Sequence, residues 1–214
     1  MNFFKQKLSS GLTLITAPMA DTQTVTVLVM VKTGSKYETK DISGLSHFLE
    51  HLFFKGTKRR PNTLAISFEL DSIGGEFNAF TSKEWTGYYA KAEACHLDLL
   101  LDIISDMLLN SKLEPAEIEK EKGVILEEMN LYQDTPSKYV DDLWEQLLYQ
   151  DQPAGWPIIG RRETILKMTQ KKFQAYLKTQ YTAGRTAVLL AGRIKINQHC
   201  LSGKPRIADL RAVS

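Results

Sequence analysis

Residues 46–54 read SHFLEHLFF, and the way this stretch is read decides both the fold and the chemistry. On a helical wheel Phe48, Leu49, Leu52, Phe53 and Phe54 point in nearly every direction. A helix that is hydrophobic all round is normally buried. Histidines and carboxylates are costly to bury without partners. His47, Glu50 and His51 share one arc, because positions i, i+3 and i+4 are neighbours on a helix face. Something polar or charged is therefore expected inside the protein at that arc. Two imidazoles one turn apart can converge on one metal ion, with Glu50 close by and not obliged to bind it.

A catalytic zinc takes three protein ligands and keeps a fourth position open. The third is sought in the helix PAEIEKEKGVILEEMNLY (115–132). Its core stripe reads Ile118, Glu121, Ile125, Glu128, Tyr132, so two glutamates occupy slots that a soluble helix fills with Leu or Val. Glu127 projects to one side. A divalent cation explains buried carboxylates near buried imidazoles. Spacing offers both Glu121 and Glu128, one to bind the metal and the other to support the histidines. The rival explanations are a structural zinc or a hydrogen-bonded core network. Structural sites are closed by four ligands and rich in Cys, whereas Cys95 and Cys200 are both remote from the motif.

Outward from the motif, FFKQKL, LTLITAP and TVTVLVMVKTG read as strands, with Ser43 as the N-cap of the first helix and Gly56 at its end. A helix over 63–73, strands EFNAFTS and EWTGYYAKAE, and helices over 96–110, 115–133 and 137–150 follow. A Pro/Gly loop spans 151–160, TQKKFQAYLKTQY is one more helix, and TAVLLAG (186–192) is a closing strand. Runs of strands and helices without regular alternation predict an α+β fold, a two-layer sandwich with helices packed on one face of a mostly antiparallel mixed sheet. One domain is expected over 1–193, with an irregular tail or truncated continuation over 194–214. Trp85, Tyr88 and Tyr89 read as strand packing, His96 as a surface or capping residue, and His199 and Cys200 carry no assignment.

The 214 residues allow a sizeable core, and a net charge of +2 gives no electrostatic case for nucleic acid or an anionic membrane. The two cysteines are expected as reduced thiols. No apolar run approaches a membrane span, and the first residues show neither signal-peptide nor presequence bias, so a cytoplasmic location is expected.

Beyond the pentapeptide, the sequence resembles the pitrilysin-like metallopeptidases with the inverted zinc motif HxxEH, most closely the subgroup containing the mitochondrial processing peptidase and its bacterial relatives. The resemblance runs through GLSHFLEHLFFKGT, IGGEFNAFTSKEWTGYYAKA, EIEKEKGVILEEM, PIIGRRETI and YTAGRTAVLLAG, in family order over about residues 2–193. It implies a zinc ion (Zn2+) held by His47, His51 and Glu128, with Glu50 as general base and Glu121 as the supporting glutamate. It further implies peptide substrates lying extended along an edge strand, here FNAFTS, with Asn78, Ala79 and Phe80 as contacts. The family builds chambers from paired lobes of two such domains, and this chain resembles the metal-bearing first domain alone. A second domain, a separate subunit or a homodimer is the expected partner. The implied activity is zinc-dependent endopeptidase cleavage of extended peptides or unfolded segments. The alternatives are a non-catalytic subunit, or a zinc-binding half that needs its second domain. His/His/Glu ligation also suits Mn, Co or Ni.

Overall fold

The valines of TVTVLVMV set the centre of the molecule. In the computed structural model, which describes residues 2–194, strand β3 (Thr24–Val31) turns Val25, Val27, Val29 and Val31 to one face, where all four are buried. Each fully buried side chain of this size is worth about 1.5–3 kcal/mol of transfer free energy. Its neighbours are β5 (Thr86–Glu93) and β6 (Thr186–Gly192), both antiparallel to it. In register with the valines, Tyr88, Ala90 and Ala92 of β5 and Val188 and Leu190 of β6 turn to the same face. Strands β1 (Phe4–Lys7), β2 (Thr13–Pro18) and β4 (Glu76–Thr81) complete a six-stranded sheet in the order β1-β2-β6-β3-β5-β4. Among the described residues only the β2–β6 pair is parallel.

The fold is α+β. Helix α1 (Leu45–Phe53) packs on β4, as does α2 (Thr63–Asp71), while α3 (Leu97–Asn110) crosses β3 and β5. Helix α4 (Pro115–Gln133) lies beside α1 and is followed by α5 (Pro136–Tyr149), the short α6 (Arg162–Leu166) and α7 (Gln170–Gln180). The expected tail over 194–214, with His199 and Cys200, lies beyond residue 194 outside the described residues. Cys95 is free and exposed.

Three details differ from the sequence reading. Ser43 is not the cap of α1. Gly44 holds that position in the left-handed region (φ +91°) and a carboxylate from outside the helix serves its N–H groups. Tyr132, at the far end of the α4 stripe, is exposed, and Met129 is buried instead. Trp85 is also exposed, beyond the end of β5. Helix α5, expected as a helix, turns Val140, Leu143, Trp144 and Leu147 outward.

Candidate metal centre

Helix α1 is buried by Phe48, Leu49, Leu52 and Phe53, and the arc left over faces α4 and β4. On that arc His47 and His51 stand with rings 4.7 Å apart at 61°. Opposite them Glu128 places Oε1 3.6 Å from His47 Nε2 and Oε2 3.5 Å from His51 Nε2. The three side chains are 13%, 23% and 29% exposed, so the group is shielded but reachable from solvent. Their ligand atoms lie within 4.8 Å of one another. A tetrahedral zinc with bonds of about 2.0–2.2 Å needs ligand atoms roughly 3.4 Å apart. Each nitrogen lies near that distance from one of the two Glu128 oxygens.

The surrounding bonds favour the same use. Glu121, 4% exposed, accepts from His51 Nδ1 at 2.8 Å, which fixes the ring and leaves Nε2 as the lone-pair atom facing Glu128. Lys55, one turn beyond His51, donates to the other oxygen of Glu121 at 2.6 Å. His47 Nδ1 is buried without a partner, so that ring engages polar neighbours through Nε2. Glu50 sits between the histidines on the helix, and Thr81 of β4 donates to its Oε2 at 2.5 Å. Glu127 is exposed and turned away.

Charge is distributed accordingly. Burial presses the His51 pKa down, but its bond to Glu121 and the charges of Glu128, Glu121 and Glu50 outweigh this and raise it. Burial works against the Glu121 carboxylate, yet bonds from His51 and Lys55 hold it below the ordinary range. Contact with His47 does the same for Glu128. Three carboxylates facing two imidazoles and one ammonium leave an excess of negative charge, which a divalent cation offsets.

Asn78, Ala79 and Phe80 all lie on β4, an edge of the sheet. Ala79 shares the inward side with Thr81 and hence with Glu50, whereas Asn78 and Phe80 face the opposite side of the sheet, where the Phe80 ring covers Gly87. The Asn78 side chain accepts from the Ala79 N–H at 2.8 Å. A second trio, Glu93, Cys95 and His96, also brings its ligand atoms within 4.8 Å, but Glu93 and Cys95 are exposed and the three are near neighbours in sequence.

Residues at the site that sequence reasoning missed are Lys55, Thr81 and Glu38. Lys55 follows His51 by four positions and was legible as a partner for a carboxylate on that face. Thr81 follows Ala79 at strand spacing. Glu38, by contrast, sits in a charged loop, SKYETKD, with no pattern to mark it. Its Oε2 accepts from Gly44 N–H and its Oε1 from Ser46 N–H, each at 2.7 Å. Burial pushes its pKa up to about 7, against the pull of Ser46, Gly44 and Lys83.

The class these features define is an α+β domain with a candidate metal site: two histidines and a glutamate on facing helices, with two further carboxylates, Glu50 and Glu121, alongside. The sequence profile of the insulinase family (peptidase family M16) matches residues 14–162, and the chain belongs to that family. It is 38% identical over 185 residues to YmxG of Bacillus subtilis, named an uncharacterized zinc protease, covering 86% of this chain and 45% of that protein. It is 41% identical over 187 residues to the mitochondrial-processing peptidase subunit beta of Lentinula edodes, covering 87% and 40%. Among solved structures, a protease from Helicobacter pylori superposes with a TM-score of 0.92 at 25% identity, over 100% of this chain and 51% of that one. The peptidase M16 inactive domain from Pseudomonas fluorescens shares the fold, with a TM-score of 0.88 at 14% identity. The chain spans about half the length of the relatives it matches.

Proposed function

We propose that this chain is the metal-bearing domain of a zinc endopeptidase that hydrolyses extended peptides or unfolded segments. The observation that carries the reading is the convergence of His47 Nε2, His51 Nε2 and the Glu128 carboxylate, whose ligand atoms lie within 4.8 Å of one another, with Glu50 beside them. The names of the relatives, zinc proteases and a processing-peptidase subunit, support zinc as the metal.

His47, His51 and Glu128 hold the ion, and Glu121 keeps the His51 ring in the tautomer that presents Nε2. Bound there, zinc supplies Lewis acidity, lowering the pKa of water toward 7 and polarising a carbonyl. Glu50 acts as general base. Thr81 occupies its Oε2, so Oε1 takes the proton from the attacking water and returns it to the leaving nitrogen. The substrate lies along the free edge of β4 beside Asn78, Ala79 and Phe80, where main-chain pairing gives affinity with little demand on sequence. A second domain or subunit completes the cleft. The outward apolar side of α5 and the roughly two-fold length of the relatives support such a partner.

The test is peptide cleavage by the family-length assembly carrying Glu50→Gln. Turnover should fall by at least 100-fold with zinc retained, the upper range for loss of a positioned general base being about 10⁴-fold. Unchanged turnover would refute the catalytic reading. The alternative of a non-catalytic domain is weakened by the intact quartet His47, Glu50, His51 and Glu128.

A further inference from the structure

The site described so far needs α1 to start at one place and point one way, because both histidines lie within its first two turns. A helix start leaves N–H groups unsatisfied, and α1 begins inside the protein, at Gly44, Leu45 and Ser46, all buried. The residue at the cap is a glycine with no side chain to serve them. Glu38 fills that role from six and eight positions upstream. It is 3% exposed, and its two oxygens bridge the N–H groups of Gly44 and Ser46. Two further contacts close the start of the helix. Ser46 Oγ shares a bond with Tyr176 OH (2.7 Å), which reaches Thr33 Oγ1 (2.8 Å), and Thr164 Oγ1 donates to Ser43 C=O (2.7 Å).

We infer that Glu38 is a positioning residue for the metal centre: its carboxylate, bridging Gly44 N–H and Ser46 N–H, fixes the start and axial rotation of α1 so that His47 and His51 face Glu128. The inference rests on the metal reading above for its purpose, but the brace itself is a property of the protein without metal. Hydroxyls alone cannot replace it. Ser46 and Tyr176 hold a side chain, whereas Glu38 holds the backbone from which His47 projects one residue later. An amide in its place offers one acceptor oxygen and turns an NH2 toward the second N–H, leaving a buried donor unpaired.

The experiment compares wild type, Glu38→Gln and a control of general destabilisation, Ile103→Ala in the core of α3, at a pH where Glu38 is ionised. Amide hydrogen exchange of residues 45–53 relative to β3 is followed in metal-free protein. Zinc affinity by chelator competition and the visible spectrum of the Co2+-loaded protein are then recorded. Glu38→Gln should speed exchange in α1 by about ten-fold or more relative to β3, weaken zinc by a similar factor and shift the Co2+ bands. Ile103→Ala should lower the melting temperature while leaving the α1-to-β3 ratio and the Co2+ bands in place. Equal acceleration of α1 and β3 by Glu38→Gln would overturn the inference, as would an unaltered zinc affinity and Co2+ spectrum. A wild-type chain that takes up no metal would defeat the zinc reading, and the exchange ratio would still decide the brace. Should the glutamine chain not fold, Glu38→Asp keeps the charge but is one methylene too short to bridge both N–H groups, and the same readouts apply.

Discussion

Replacing Glu121 by glutamine removes the group that orients His51 while changing little else in shape. The carboxylate accepts from His51 Nδ1 at 2.8 Å and from Lys55 Nζ at 2.6 Å. The amide has one acceptor oxygen, so one of these bonds must go. Lys55 is 28% exposed and can turn to water, but the ring of His51 is held on the helix beside Glu128. If the oxygen stays with Lys55, the NH2 faces the ring N–H and the tautomer that presents Nε2 is no longer favoured. If it stays with His51, the bond survives as a neutral one, weaker than that to a charged acceptor, for which about 1.5–3 kcal/mol is typical. Loss of such a supporting contact costs about 10–100-fold in metal affinity, or roughly 1.4–2.8 kcal/mol. Competition for zinc with a chromophoric chelator measures this directly, with Glu127→Gln as a control because Glu127 is exposed on the same helix. Equal affinity in Glu121→Gln and wild type would refute the argument that Glu121 holds His51 for the metal.

Four other outcomes are expected. The raised pKa of His51 leaves its ring more protonated near neutral pH than an ordinary histidine, and a metal ligand must be neutral. Zinc uptake near neutral pH should therefore release protons, measured by calorimetry in buffers of differing ionisation enthalpy, and the release should shrink in Glu121→Gln. Arg60, buried among Glu69, Asp102 and Asp106, anchors the loop after α1, and Arg60→Met should cost about 3–5 kcal/mol by taking the Arg60 charge from the buried Asp106 carboxylate, which keeps only neutral donors in Thr57 and Asn110. That corresponds to a melting temperature lower by on the order of 10 °C. In the same cluster Arg59 and then Arg60 pull Asp102 down to about 2. The stability this confers is complete above the unfolded-state pKa near ~3.9 and is lost as pH falls through the folded value. Acid unfolding of Arg60→Met should be correspondingly less steep between those limits. Finally, a methyl group at Gly44, whose φ is +91°, would meet Ile159 O at 2.6 Å and Gly160 Cα at 2.8 Å. Gly44→Ala should destabilise by at least about 1–3 kcal/mol and weaken zinc binding, read by thermal unfolding and chelator competition.

Much of this architecture was legible because it follows from local pattern. The alternating valines of β3 and the punctuation by Gly and Pro placed the sheet and most helices within a residue or two. The candidate metal centre, as a cluster of side chains, was legible for a different reason. His47, Glu50, His51, Glu121 and Glu128 break the hydrophobic pattern at positions where burial makes polar groups costly, and the breaks answer one another. Which glutamate faces which nitrogen was not readable from spacing, since Glu121 and Glu128 share one stripe and differ only by two turns of α4. The crossing of α1 and α4 decides it, putting Glu121 against Nδ1 of His51 and Glu128 between the two Nε2 atoms. Glu38 was invisible because its partners are backbone N–H groups, which leave no trace in side-chain pattern. For the same reason Ser43 looked like the cap. Tyr132 continued the stripe on paper, but its ring lies at the surface with Lys138 over it, and Met129 is the residue buried there.

The central claim is that His47, His51 and Glu128 together hold one zinc ion. Elemental analysis of the purified chain after zinc loading and desalting, run beside Glu128→Gln, tests it most directly. The account predicts one zinc per wild-type chain and a large loss in the variant. Wild-type protein that is folded yet takes up no zinc, or a Glu128→Gln chain that retains it in full, would contradict it.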